Sequence, residues 1–75
     1  MIDYETALSL KRGDILHHIT LTNADGSSLR CRVNGKVRTW KTNHNFRVPV
    51  KYGLKICFYV TNFGIIPNNN EWILS

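Results

Sequence analysis

The chain has 75 residues, 43% of them hydrophobic and 20% charged, and ten Lys and Arg set against five Asp and Glu give a net charge of +5. That is enough for one small globular domain and too little for a two-domain enzyme, a repeat array or a coiled coil. No apolar run approaches the ~20 residues that cross a bilayer, and Met1-Ile2-Asp3-Tyr4-Glu5 lacks the basic lead and apolar core of a secretory signal, so a cytoplasmic module with no membrane partner is expected.

Asp3 is placed to cap a short helix over residues 4–11, in which Tyr4 and Leu8 share one face that can lie on a core. Gly13 ends it, glycine being the usual residue just past a helix terminus. From there the period is two. Ile15, His17, Ile19 and Leu21 alternate with Leu16, His18, Thr20 and Thr22, which predicts a strand, and Asn23-Ala24-Asp25-Gly26 predicts a turn. Strands follow over 27–33 and 36–42, separated by Asn34-Gly35. After a polar loop over 42–45 comes a short strand over 46–50, whose Pro49 has no amide proton and is expected at an edge or a bend. Residues 51–54 predict a tight turn, and 55–62 form the most β-prone stretch, with Ile56, Phe58 and Val60 on one side and Cys57, Tyr59 and Thr61 on the other. A loop over 64–70, rich in asparagine and containing Pro67, precedes a last strand over 71–74. Strands this short, separated by turns, predict an α+β domain that is mainly antiparallel β. A flat sheet would leave one apolar face and two sticky edges exposed, so a partly open barrel over 14–75 is expected.

The charge is segregated. Asp3, Glu5, Asp14 and Asp25 fall in the first 25 residues, and residues 26–70 hold no acidic side chain. That acid-free stretch carries Arg30, Arg32, Lys36, Arg38, Lys41, Arg47, Lys51 and Lys55, a distribution that attracts polyanions. Five of the eight fall on a predicted hairpin over 30–41, whose turn register decides its faces. A two-residue Asn34-Gly35 turn mixes apolar and basic side chains on both faces. A three-residue loop with a bulge pairs Arg32 with Lys36, Cys31 with Val37 and Arg30 with Arg38. It separates Leu29, Cys31, Val37 and Thr39 from Arg30, Arg32, Lys36, Arg38 and Trp40, and this register is the one expected. Like charges opposed on a sheet repel, and a phosphate backbone relieves them. Trp40 can then stack on a base or instead close one end of the core, whereas Trp72 is expected in the core.

Other chemistry is sparse. Cys31 and Cys57 are expected as buried reduced thiols rather than as a bridge. His17 and His18 point to opposite faces of a strand and cannot chelate together, no zinc-ligand spacing is present, and His17 is expected as a core histidine. The carboxylates are scattered and no serine or cysteine sits in a nucleophile context, so neither an enzyme nor a cofactor is expected.

The segments Leu10-Lys11-Arg12-Gly13-Asp14-Ile15-Leu16-His17, Asn23-Ala24-Asp25-Gly26, Arg32-Val33-Asn34-Gly35-Lys36, Thr39-Trp40-Lys41 and Phe46-Arg47-Val48-Pro49-Val50-Lys51-Tyr52-Gly53-Leu54 are together similar to small uncharacterised proteins encoded by bacteriophages. The resemblance covers most of the chain and implies a phage origin and action in the host cytoplasm, but no activity and no site residues. Gly13-Asp14 at the first strand, successive tight hairpins and Val48-Pro49 followed by Gly53-Leu54 before a late strand resemble SH3-like small barrels, which the N-terminal helix departs from. Such barrels bind nucleic acids, peptides and proteins alike. The function expected is non-enzymatic binding of DNA or RNA, with Arg30, Arg32, Lys36, Arg38, Lys41, Arg47 and Lys51 on phosphates and Trp40 as a stacking platform. The alternative is docking on an acidic protein or in an assembly, with Trp40, Tyr52 and Phe63 as anchors and the arginines as a steering rim.

Overall fold

The computed structural model describes residues 2–63 and 71–75. The loop expected over 64–70 lies outside the described residues. One short helix, α1 (Tyr4–Ser9), precedes six strands: β1 (Ile15–Thr22), β2 (Ser28–Val33), β3 (Arg38–Trp40), β4 (Asn45–Tyr52), β5 (Ile56–Thr61) and β6 (Trp72–Leu74). Every pairing is antiparallel. Among the described residues no helix is long and apolar enough to cross a membrane.

The Asp3 carboxylate accepts the Thr6 N–H at 2.8 Å and starts α1, and that bond holds the Asp3 carboxyl below the usual carboxylate range. The helix ends two residues earlier than its spacing predicts because Leu10 turns extended and becomes buried. Its core contacts also differ from expectation. Ile2, Ala7 and Leu10 are buried, while Leu8 is 52% exposed and Tyr4 stacks on His44 with ring centroids 4.5 Å apart. A six-residue helix persists only by packing, and Ile2, Ala7 and Leu10 supply that packing.

Asn34-Gly35 is not a hairpin turn, and neither expected register of the 30–41 hairpin forms. β2 and β3 do not pair with each other. Both pair with β4, Arg32 opposite Lys51 and Val33 opposite Val50, then Arg38 opposite Arg47 and Trp40 opposite Asn45. β5 occupies the other edge of β4 from Arg47 to Tyr52, so β2 and β3 lie end to end along one edge. They are one bent strand interrupted at 34–37, where four residues of chain oppose two, Val48 and Pro49, a bulge of two extra residues. The tight connections lie elsewhere. Asn23 and Gly26 close the β1–β2 turn, residues 41–44 join β3 to β4, and Gly53, at φ 67°, sits in the β4–β5 turn.

Pro49 is likewise not at an edge, since β4 is the most fully paired strand in the sheet. It is tolerated because its carbonyl, which accepts the Asn34 N–H at 3.0 Å, faces the bulge, and its missing donor faces the same side. Gly35 lies against its ring, so close that an added Cβ would meet Pro49 Cγ at 3.2 Å.

The sheet curls into a half-barrel around Leu16, Cys31, Val33, Phe46, Val48, Val50, Val60 and Trp72. Phe58 of β5 and Trp72 of β6 approach across the open side, centroids 5.9 Å apart. β1 breaks register between His17 and Thr22. His18 turns inward there and is 6% exposed, while His17, the histidine expected in the core, faces outward and bonds Ser75 Oγ at 2.8 Å.

Candidate functional site

Cross-strand partners share a face, so the ladder positions sort the side chains directly. Leu29, Cys31, Val33, Val37, Phe46, Val48 and Val50 point into the half-barrel. Arg30, Arg32, Arg38, Arg47 and Lys51 lie on the opposite, outer face of the same strands. Along β4 that face is built of four rungs about 7 Å apart, two residues of strand each. The first is Trp40 beside Asn45, the second Arg38–Arg47–Thr61, the third Pro49–Tyr59 and the fourth Arg32–Lys51–Cys57. Aromatic and cationic rungs alternate.

Two of these rungs set like charges directly opposite one another, Arg38 against Arg47 and Arg32 against Lys51. Such neighbours destabilise a sheet by up to ~1 kcal/mol per pair. Among the described residues the only basic side chain within 4.0 Å of a carboxylate is His18, whose Nε2 lies 3.4 Å from Glu71, so no arginine or lysine has a carboxylate partner. The rings take up part of the charge. The Arg47 guanidinium lies 4.7 Å from the centroid of Tyr59 and that of Arg38 lies 5.5 Å from Trp40, contacts worth about 0.5–1 kcal/mol each. Phe63 packs edge-on against Trp40 at 5.4 Å, and its carbonyl is tied back by the Thr61 hydroxyl at 2.9 Å. At the far end of the face, Ile15, Arg30, Cys31, Arg32, Lys51 and Gly53 line a shallow groove of about 380 Å³.

Six of the eight expected contact residues, Arg30, Arg32, Arg38, Trp40, Arg47 and Lys51, therefore share one surface. Lys36 and Lys41 do not. Lys36 sits in the 34–37 bulge and lines a separate cleft with Lys11 and Arg12 between α1 and β3, and Lys41 opens the 41–44 loop. Trp40 is half-buried on the outer face and does not belong to the core, whereas Trp72 does. Tyr59 was not singled out by sequence. Its signal was its outward parity on β5, which points to the site only once β5 is known to pair with β4. Of the three protein-docking anchors, Tyr52 packs against the core instead.

The cysteines are free and differ in setting. Cys31 is buried, and burial pushes its thiol up to about 12, but Cys57 is exposed, contrary to expectation, because it occupies the outer face opposite Lys51. One thiol should therefore react quickly with a maleimide in the native protein, and the second only after denaturation. Mass spectrometry of the labelled peptides checks this, and rapid native labelling of Cys31 would contradict its placement.

The chain matches no family model, no curated protein and no solved structure.

Proposed function

We propose that the outer sheet face binds DNA or RNA through its phosphates, without catalysis. One observation carries the reading: Arg30, Arg32, Arg38, Arg47 and Lys51 share a face, two pairs of them directly opposed, with no carboxylate beside them among the described residues. An isolated fold gains nothing from that arrangement, whereas a phosphate backbone converts the repulsion into attraction and releases its own condensed counterions. The curled sheet supports placing the domain with the SH3-like small barrels, since β2 and β3 taken as one bent strand leave five strands among the described residues. The resemblance to small bacteriophage proteins supports a phage origin and a place of action in the host cytoplasm.

The test is a salt titration of binding to a short labelled duplex by fluorescence anisotropy. Neutralising about five phosphates gives a slope of log affinity against log salt near −4 to −5. Arg38→Ala should weaken binding equally on unrelated sequences and make the slope shallower by about one, because phosphate contacts carry no sequence information. Absence of binding at low salt would remove the reading, and a partner pulled from a lysate that survives nuclease digestion would point to an acidic protein instead.

A further inference from the structure

We infer that the partner of this face is single-stranded rather than duplex nucleic acid, a refinement that rests on the nucleic-acid reading above. The order of the rungs favours a single strand. Passing along β4, the outer face presents Trp40, then Arg38 with Arg47, then Tyr59 beside Pro49, then Arg32 with Lys51. Flat apolar surface and positive charge thus alternate every two residues, a step of about 7 Å. A polynucleotide strand also alternates, one flat base and one anionic phosphate in each nucleotide, and the ring-to-ring distance of about 14 Å suits every second base of an extended strand.

A duplex cannot use that pattern. Its base faces are stacked on one another, and what it offers to a sheet surface is phosphate alone. The cationic rungs would engage it while the aromatic rungs faced sugar and groove. A single strand can splay its bases onto the rings, and stacking of this kind tolerates any sequence because every base has a π-face. The rings are held ready for it. Tyr59 is half exposed with the Arg47 guanidinium over it, and Trp40 is braced by Phe63 at its edge and by Arg38 at 5.5 Å. Each of these guanidiniums is also planar, so it keeps its N–H groups free to meet a phosphate while lying against a ring. The groove beside Arg30, Arg32 and Lys51 continues the track with phosphate contacts beyond the last aromatic rung.

The experiment compares a short mixed-sequence labelled oligonucleotide, alone and annealed to its complement, by anisotropy with the full chain at one low salt concentration. The single strand should bind about tenfold tighter or more. Trp40→Ala and Tyr59→Ala should each lower single-strand affinity about tenfold and leave duplex affinity within about twofold. Trp40→Phe, which keeps a flat ring, should retain the preference. Because Trp40 is half-buried, circular dichroism accompanies its alanine variant. If that variant unfolds, Trp40→Phe and Tyr59→Ala carry the comparison. Equal or tighter binding of the duplex would overturn the inference while leaving phosphate binding intact, as would an equal loss on both forms in Tyr59→Ala. Flat titrations in both arms would overturn the inference together with the reading beneath it.

Discussion

Replacing Arg32 and Arg38 together by glutamate is expected to lower nucleic-acid affinity on the order of a hundredfold while raising the melting temperature of the free protein. The two effects have opposite signs because the same residues serve binding at the expense of the fold. A hydrogen bond to a charged group contributes roughly 1.5–3 kcal/mol, so losing two of them removes at least two orders of magnitude. In the free protein the substitutions turn both like-charge rungs into opposite-charge ones, Glu across from Arg47 and Glu across from Lys51. Each exchange is worth about 0.5–1 kcal/mol on a solvent-exposed sheet, and loss of the Arg38 contact with the Trp40 ring offsets about as much as one of them, so the net gain is that of the other, at about 4–8 °C per kcal/mol in a domain of this size. Anisotropy and calorimetry on the same preparation read both. A variant that loses stability as well as affinity would make the arginines structural, and one that gains stability with affinity unchanged would place binding on another surface.

The second large effect falls on the opposite side of the sheet. His18 Nδ1 accepts the backbone N–H of Thr20 at 3.1 Å and of Leu21 at 2.9 Å, inside the stretch where β1 leaves its register with β2. A ring nitrogen that accepts twice carries no proton, so the proton is assigned to Nε2, which is directed at Glu71. The ring also meets Trp72 edge-on at 5.1 Å. His18→Ala removes the acceptor from two amides and the support beneath Trp72, an expected loss of about 3 kcal/mol. In a domain this small that is a fall in melting temperature of about 12–24 °C. His18→Phe restores a ring without an acceptor and should recover only part of the loss, which separates packing from hydrogen bonding. Full recovery in the phenylalanine variant would show that the amides find other partners.

Much of this architecture was readable from residues alone, and the failures have one cause. The strands, the Asp25-Gly26 turn, the Gly53 turn and the inward place of Trp72 follow from local signals that tertiary structure left undisturbed. Asn34-Gly35 carries an equally good local signal for a hairpin, yet its glycine is not among those with positive φ. What sets position 35 apart is crowding, because a Cβ there would press on the Pro49 ring, which would have to give by a few tenths of an ångström. Pro49 in turn reads as an edge residue until the bulge facing it is known. Each residue explains the other, and neither does so from its own neighbourhood in sequence. Even so, apart from Lys36 in the bulge, the two faces of 29–40 come out as the expected bulged hairpin would have them, with Leu29 and Val37 inward and Arg30, Arg32 and Arg38 outward. The reason is that period-two alternation survives any even insertion. Tyr59 stayed hidden for a related reason, since its membership of the basic face is a fact about β5 pairing rather than about β5.

The interruption at residues 34–37 has a consequence for how this chain can change. It sets the phase between two halves of one strand, and phase in a strand has only two values. A loss or gain of a single residue there has to be absorbed by re-forming the joint as a bulge of odd length; without that, Arg38 and Trp40 roll underneath and Thr39 comes to the surface, dismantling the alternating track while leaving every amino acid of it in place. Length changes in steps of two keep the phase of the track unaided, even though most of the joint's side chains touch nothing that binding requires.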